Sequence, residues 1–394
     1  MANIVSFLER IRIILCGSLV SYNLEERNRV RRVFIHAYVA GNLGDDLLIR
    51  ILCERYPKTR FLLWADSSYR VRFAELKNLR VFSPTDKLAS AVNGILKRTK
   101  KYDNGMWRLL VKSSYATVHI GGSVFVQHLN DFSMAFELDH QLRKLSRRLY
   151  VVGANFGPYS DELYYQKYKI LFKTYDGICF RDHYSKNLFS EFDNIRYAPD
   201  VVFNYNRKEA KEVKKQVLFS VIYMESRDGK YSISQFAERY YSFMASLAEV
   251  FIDKGYLVKF ISFCRTEGDE KAIEEIIGRT NYEYKDALSA YFYDMDEKEC
   301  INQFYESEMI VATRFHSIIL GWLANKKVLP IVYNVKTLRT LEDMDIDDYL
   351  LIEDLNRDNV GAVADKLINR EVVNVEEIKK KARMQFFYLD TLLS

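Results

Sequence analysis

An arginine and a histidine two residues apart follow a short apolar run in the C-terminal half of the chain. Residues 309–312 are apolar and predict a buried strand, Arg314 and His316 come next, and an apolar helix is predicted from Ser317. Such a unit places the residues after the strand in the crevice where open α/β sheets bind ligands. A guanidinium and an imidazole there could bind an anion and supply a proton. The same residues also fit a structural role, in which Arg314 pairs with a surface carboxylate and His316 caps the helix.

Small and polar residues also follow successive predicted strands in the N-terminal half. Because the carboxyl ends of parallel strands lie at one edge of a sheet, these residues predict one shared cleft. The first turn lacks the G-x-G-x-x-G pattern and a P-loop lysine, so it is not a nucleotide fingerprint. Its two aspartates also suit the capping of a helix. The turns are Gly41-Asn42-Leu43-Gly44-Asp45-Asp46, Gly121-Gly122-Ser123, Asn155-Phe156-Gly157-Pro158, Arg181-Asp182 and Pro199-Asp200.

The alternation of predicted strands and helices indicates an α/β fold, and 394 residues suit two domains. We predict two Rossmann-like lobes with the active site in the cleft between them. The predicted divisions are an amphipathic segment (1–30), an N-terminal, acceptor-side lobe (31–205), a C-terminal, donor-side lobe (206–372) and a C-terminal helix (373–394).

Composition excludes several classes of protein. A formal net charge of +5 over 394 residues does not indicate a nucleic-acid binder. The five cysteines lie far apart, without C-x-x-C or a nearby histidine at ligand spacing. We therefore predict no disulfide framework and no metal site, and expect a reducing, cytoplasmic location.

Two basic segments raise the question of membrane contact. Charges at Glu9, Arg10 and Arg12 interrupt the apolar N-terminus, which is too short to span a bilayer and a poor match to a signal peptide. Residues 27–32 and 97–101 are rich in lysine and arginine. They fit either peripheral contact with the inner face of an anionic membrane or ordinary packed and solvated faces.

In their order and spacing, these motifs resemble the polysaccharide pyruvyl transferase family. The resemblance covers roughly residues 33 to 340. It is carried by the turns given above, with Gly153-Ala154 preceding Asn155, by Ser185, and by Arg314-Phe315-His316-Ser317 and Tyr333 with Lys336. It implies a fold similar to GT-B glycosyltransferases, phosphoenolpyruvate as donor substrate, no cofactor, and a sugar diol as acceptor. The products would be a pyruvate ketal and free phosphate.

The resemblance also implies roles for individual residues. The donor carries a carboxylate and a phosphate, for which Arg314, Lys336, Arg181 and Arg265 are the candidate cations. Arg314 and His316 are the candidate catalytic residues, with His316 as general acid toward the methylene carbon of the donor. The candidate ligands of the acceptor sugar are Asn42, Asp45, Ser123 and Asn155. Ser123 stands where the family usually has a third glycine, which affects acceptor contacts rather than the reaction.

The leading hypothesis is therefore a pyruvyl transferase acting on a lipid-linked precursor of a cell-surface polysaccharide, such as an exopolysaccharide or capsule. One alternative is a GT-B glycosyltransferase that uses a nucleotide sugar. Such an enzyme would more often hold a ribose with a carboxylate in the C-terminal lobe, where Glu267 and Asp269 have the sequence context of surface residues. Another alternative is a non-catalytic, sugar-binding member of the fold.

Overall fold

Two parallel β-sheets organise the protein. The computed structural model describes residues 31–100, 104–127, 131–206, 212–226 and 232–393. The predicted amphipathic segment 1–30 and the last residue of the basic run at 97–101 lie outside this range. The strands of the described part form a seven-stranded sheet, in the order β3-β2-β1-β4-β5-β6-β7, and a six-stranded sheet, in the order β10-β9-β8-β11-β12-β13.

The first sheet and its helices are built from residues between 32 and 197, and every strand pair is parallel. The strands are Arg32–Ala37 (β1), Arg60–Trp64 (β2), Leu79–Phe82 (β3), Ala116–Ile120 (β4), Leu149–Ala154 (β5), Gly177–Phe180 (β6) and Ile195–Tyr197 (β7). The helices are Leu43–Arg55 (α1), Tyr69–Arg72 (α2), Lys87–Lys100 (α3), Gly105–Ser113 (α4), Ser133–Leu145 (α5), Glu162–Phe172 (α6) and His183–Leu188 (α7).

The second sheet repeats this arrangement, again with parallel pairs. Its strands are Gln216–Ser220 (β8), Leu257–Ser262 (β9), Leu288–Phe292 (β10), Met309–Ala312 (β11), Lys327–Val332 (β12) and Leu350–Leu351 (β13). The helices are Ala237–Asp253 (α8), Asp269–Arg279 (α9), Glu297–Glu306 (α10), Phe315–Leu323 (α11), Val335–Glu342 (α12) and Val360–Ile368 (α13). The predicted boundaries of the lobes, at residues 205 and 372, stay predictions.

A continuous apolar core joins the two lobes. One buried cluster contains Leu43 and Leu47 from α1 together with Phe263, Phe304 and Ile318 from the second lobe. Backbone and ionic contacts reinforce it: Leu43 N donates to Phe263 O at 3.1 Å, and buried Arg50 pairs with buried Glu297 at 2.7 Å. The lobes therefore pack against each other through apolar surface as well as through ion pairs.

Three edge strands were missing from the sequence-based prediction: β3, β10 and β13. Each ends one side of a sheet and has only one neighbouring strand. In β10 the residues are exposed or only partly buried, and β13 has two residues. Since the prediction relied on short buried apolar runs, strands without such a run could not be recognised. In the described part of the chain, none of the helices is both long and apolar enough to cross a bilayer.

The end of the chain returns to the first lobe. After α13 it forms Glu376–Ala382 (α14), a 3-10 turn at Arg383–Phe386 and Phe387–Leu393 (α15). Buried Gln385 donates to Phe180 O at 3.2 Å and to Ala198 O at 2.6 Å, and accepts from Gly153 N at 2.9 Å. A single amide thus satisfies three backbone groups around the ends of β5, β6 and β7.

We predict that Gln385→Ala destabilises the protein by about 2 kcal/mol, because Gly153 N and Ala198 O lose the side-chain partner that Gln385 provides, while Phe180 O keeps its bond from Ala198 N. The matched control is Met384→Ala at the neighbouring exposed position, for which a change within about 0.5 kcal/mol is expected. Urea unfolding followed by circular dichroism measures both variants. Equal midpoints for the two variants would contradict the role assigned to Gln385.

Candidate active site

The carboxyl ends of both sheets face the cleft between the lobes, and most of the predicted residues meet there. From the first lobe come the turn after β1, the glycine turn after β4, and single residues after β5, β6 and β7. From the second lobe come the residues after β11 and β12. The side chains of this central cluster are Asp45, Ser123, Asn155, Arg181, Asp200, His316 and Lys336.

A buried carboxylate lies at the centre of the cluster. Asp200 Oδ2 accepts from Arg181 NH1 at 3.0 Å and lies 3.8 Å from His316 Nε2 of the other lobe. Its second oxygen accepts from Val202 N at 2.8 Å. Burial disfavours the charged form, but His316 and Arg181 outweigh it and hold the pKa of Asp200 at about 2. Asp200 is therefore an anion that holds the guanidinium of Arg181 and faces the imidazole of His316 at a distance too long for a hydrogen bond.

Arg181 is fixed on three sides. Besides Asp200, it donates from NH2 to Asn155 Oδ1 at 2.8 Å, and its guanidinium lies 4.7 Å from the centre of the Phe315 ring. A side chain at Gly122 would fall 2.6 Å from Arg181 NH1, so the glycine turn after β4 leaves room for the arginine. Arg181 thus presents a preorganised positive charge at the edge of the first sheet.

His316 reaches across the cleft to the first lobe. A Cβ atom at Gly44 would lie 1.8 Å from His316 Nδ1, so the two lobes approach this closely only because residue 44 has no side chain. Burial lowers the pKa of His316 below its ordinary value, Asp200 opposes this, and Arg181 and Lys336 add to it. Before any anion binds, the neutral imidazole is therefore favoured.

A candidate ligand of the donor and a candidate ligand of the acceptor sugar are in direct contact. Lys336 Nζ, in the first turn of α12, donates to Ser123 Oγ at 2.6 Å across the cleft.

Burial raises the pKa of nearby Asp45 to about 7; Asp46 and Glu267 act in the same direction, and Arg181 and Lys336 oppose it. A carboxyl group with a pKa near neutrality can accept a proton from a hydroxyl group.

Arg314 lies apart from this cluster, in an ion-pair network on its own lobe. It donates through Nε and NH2 to Asp269 and through NH1 to Glu267. Asp269 also accepts from Phe263 N and Cys264 N, at 2.9 and 3.0 Å. The placement of Asp269 at the surface was wrong, because it is fully buried as the partner of Arg314. The donor-binding and catalytic roles of Arg314 stay predictions.

The structure does not bring three other candidates into the cleft as free ligands. Arg265 has a side chain that is 76% exposed and pairs with Glu270 on its own lobe at 3.1 Å. The amide of Asn42 caps α1 through Gly44 N and donates to Glu267. Asn155 is buried, and its amide is divided between Arg181 and Gly157 O. Asn42 and Asn155 therefore support the observed geometry, and their contacts with a sugar stay predictions.

Two residues near the cleft were not among the predicted site residues. Asp200 lies three residues after the end of β7, and the turn Pro199-Asp200 was expected at the cleft, but Asp200 itself was not assigned a role. Tyr38 follows β1, is 51% exposed and lies within electrostatic range of Asp45 and Glu267. No local sequence pattern distinguished it from an ordinary surface tyrosine.

The prediction of no metal site stays a prediction, but one set of side chains has the composition and closeness of a metal-ligating cluster. His36, His119 and Asp139 lie together in the first lobe, with one candidate ligand atom from each residue within 4.8 Å of the others. They come from two strands and a helix far apart in the sequence, so ligand spacing could not reveal them.

Solved structures share this fold at low sequence identity. A putative UDP-N-acetylglucosamine 2-epimerase from Listeria monocytogenes is 12% identical, with a TM-score of 0.53 over 92% of this chain and 95% of that chain. The UDP-GlcNAc 2-epimerase from Methanocaldococcus jannaschii is also 12% identical, with a TM-score of 0.54 over 90% and 99%. At this identity the likeness shows the fold alone, and the predicted GT-B-like pair of α/β lobes is confirmed.

Sequence comparison identifies the family. No curated protein sequence matches the chain. The family described as polysaccharide pyruvyl transferase matches residues 42–335, a range that includes Arg181, Asp200 and His316. The chain therefore belongs to the polysaccharide pyruvyl transferase family.

Proposed function

We propose that this transferase moves the pyruvyl group of phosphoenolpyruvate onto two hydroxyl groups of one sugar, forming a ketal and releasing phosphate. The observation that carries the proposal is the convergence of Arg181, Lys336 and His316 in one cleft. Phosphoenolpyruvate bears a carboxylate and a phosphate, and a guanidinium and an ammonium are suitable partners for both. The N-termini of α11 and α12 open on the same cleft and favour an anion there.

The proposed chemistry begins with a proton transfer from His316 to the methylene carbon of the donor. Since the free imidazole has a lowered pKa, the bound anion must first raise it by offsetting the charges of Arg181 and Lys336. Protonation turns the methylene into a methyl group and leaves an oxocarbenium-like centre. The negative charge of Asp200, 3.8 Å from His316 Nε2, stabilises the charged form of the imidazole.

The acceptor then supplies two hydroxyl groups in turn. The first attacks the cationic carbon and gives its proton to Asp45, whose pKa of about 7 suits a general base. The carbon–oxygen bond to phosphate breaks, phosphate leaves with the electron pair, and the second hydroxyl closes the ring. Of the two hydroxyl protons, one balances the proton added to carbon and the other leaves on phosphate.

The nucleotide-sugar alternative has less support. In the second lobe, Glu267 and Asp269 are the carboxylates considered for holding a ribose. Asp269 accepts hydrogen bonds from Arg314 and from two backbone N–H groups, and Glu267 accepts from Arg314 and Asn42. Both carboxylates are therefore already engaged within the protein, which does not favour a role in holding a ribose. The alternative of a non-catalytic sugar-binding protein also has less support. Burying charged groups costs free energy, and such a protein would not need buried charged residues to converge in the cleft.

We also propose that the acceptor is lipid-linked and that the enzyme works at the cytoplasmic face of a membrane. Lys97 and Arg98 are exposed on α3, and Met134, Leu163 and Ile170 are exposed on α5 and α6. These helices cover the same face of the first sheet, because their inner residues share one apolar cluster. Basic and apolar side chains on one face are suited to anionic lipid.

We predict that the protein releases phosphate from phosphoenolpyruvate only when a suitable lipid-linked sugar is present. The product should gain the mass of a pyruvate ketal. UDP- and GDP-sugars serve as control donors with the same panel of galactose-, mannose- and N-acetylmannosamine-containing acceptors. Turnover of a nucleotide sugar, with no phosphate release from phosphoenolpyruvate, would move the chain to the glycosyltransferase alternative.

We predict that Gly44→Ala lowers kcat/KM by at least about 100-fold, because its methyl group displaces the imidazole of His316. The control is Gly94→Ala in α3, where an added Cβ meets nothing within 4 Å. That variant should keep its activity and gain about 0.5–1 kcal/mol in stability, as expected for alanine in a helix. Equal activity in the two variants would show that the close approach is not needed.

We predict that the pH dependence of turnover depends on donor occupancy. A protonated His316 is required, so activity falls as pH rises through its pKa. This pKa is lowered in the free enzyme and raised by the bound anion, so the falling limb of kcat should lie at higher pH than that of kcat/KM for the donor. The kcat/KM profile is corrected for ionisation of the donor phosphate.

The controls for this pH measurement are two histidine variants. His140→Ala, at a half-exposed position on α5, should keep both profiles, and His316→Ala should abolish turnover while still binding the donor. Coincident limbs for kcat and kcat/KM, or near-normal turnover in His316→Ala, would remove His316 as the general acid.

A further inference from the structure

A second polar cluster lies in the first lobe, on the sheet face opposite α1. His36 on β1 and His119 on β4 are direct neighbours in the parallel register, and their ring centres are 4.6 Å apart. Asp139 on α5 faces them, with its Oδ1 atom 3.6 Å from His119 Nδ1. Trp107 and Phe125 pack against the two imidazoles. Two imidazoles and a carboxylate thus converge in a largely apolar surrounding.

The cluster is incompletely satisfied by the protein itself. His119 and Asp139 are buried, with 4% and 5% exposure. His119 Nδ1 has no hydrogen-bond partner among the described residues, and 3.6 Å to Asp139 is too long for a hydrogen bond. Buried polar atoms normally have partners, so a buried imidazole nitrogen directed toward a carboxylate without bonding to it indicates a missing group between them.

The carboxylate is held as a metal-binding carboxylate usually is. Tyr168 donates to Asp139 Oδ2 at 2.7 Å, which fixes the group and leaves Oδ1 toward His119. Within the described part of the chain no lysine or arginine forms an ion pair with Asp139, so the ionised form of this carboxyl group has no permanent counterion there. A cation among the three side chains would supply one.

We propose that His36, His119 and Asp139 bind a Zn²⁺ ion. Imidazole nitrogens favour zinc over Mg²⁺ and Ca²⁺, which prefer oxygen ligands. Ligands about 2.0–2.1 Å from a tetrahedral ion lie about 3.3 Å apart, close to the 3.6 Å between His119 and Asp139. The other ligand atoms, within 4.8 Å, need a shift of about 1.5 Å or less. Partly exposed His36 gives a route for the ion and for a water molecule as fourth ligand.

The position of this site relates it to the cleft. His36 and His119 are each the next-to-last residue of their strand, and β4 leads directly into Gly121, Gly122 and Ser123. An ion bound there ties the carboxyl ends of β1 and β4 to α5. It would therefore hold the turn that leaves room for Arg181 and presents Ser123 to Lys336, without taking part in the reaction.

The test uses the full-length protein, stripped with a chelator, and the metal alone. Zn²⁺ is titrated in competition with a chromophoric chelator, and Co²⁺ is added separately as a spectroscopic probe. We expect one zinc ion per chain and the visible absorption of tetrahedral Co²⁺. Asp139→Asn and His119→Gln should each weaken zinc binding by at least 100-fold. The control, His140→Gln, changes the neighbouring half-exposed histidine and should bind as the unaltered protein does.

The outcomes that would overturn the site are distinct. Substoichiometric zinc, or equal affinity in Asp139→Asn, His119→Gln and the unaltered protein, would contradict it. An equal loss of zinc affinity in His140→Gln would assign the ion to surface histidines instead. Circular dichroism checks that each variant folds. If His119→Gln does not fold, the test rests on Asp139→Asn, which keeps the shape of the side chain and the contact with Tyr168. Since the readout is metal binding, failure of the phosphoenolpyruvate assay leaves this result unaffected.

Discussion

The buried carboxylate of Asp200 is the group on which the geometry of the cleft depends. It is an anion with a pKa of about 2, and it holds Arg181 of its own lobe while facing His316 of the other lobe. Removing it would leave a buried guanidinium without its counterion, which is strongly destabilising. Burial lowers the pKa of His316, and the same carboxylate partly offsets this effect by stabilising the protonated imidazole. In the proposed reaction, donor binding by Arg181 and proton supply by His316 therefore both depend on Asp200.

Positive charge is distributed unequally across the cleft. Arg314 is balanced on its own lobe by Asp269 and Glu267, so much of its charge is already neutralised. In the central cluster Arg181 is balanced by Asp200, but Lys336 adds a second positive charge there, and the other carboxyl group of the cluster, Asp45, has a pKa of about 7 and is only partly charged. The cluster thus attracts an anion more strongly than the Arg314 network does. This difference shifts the expected weight of donor binding from Arg314 toward Arg181 and Lys336.

The sequence predicted the central strands and the cleft, because buried parallel strands are continuous apolar runs and their ends meet at one edge. Edge strands such as β10 have no such run and were missed. Side-chain partners were beyond reach for a different reason. Arg314 and Asp269 become neighbours only through the fold, and so do His36, His119 and Asp139. Neither the ion pair of Arg314 nor the histidine cluster therefore corresponds to a recognisable spacing in the sequence. Asp200 was visible in a turn after a strand, and Arg181 and His316 were predicted site residues, but the contacts of Asp200 with these two residues were not predicted.

The most direct test of the proposed chemistry is to run the reaction in D₂O and determine the label in the product by mass spectrometry and NMR. Protonation of the donor's methylene carbon by an exchangeable acid predicts a ketal whose methyl group is CH₂D, formed together with free phosphate. A product that retains the unlabelled methylene as an enolpyruvyl ether, or a ketal methyl group without deuterium, would contradict the account.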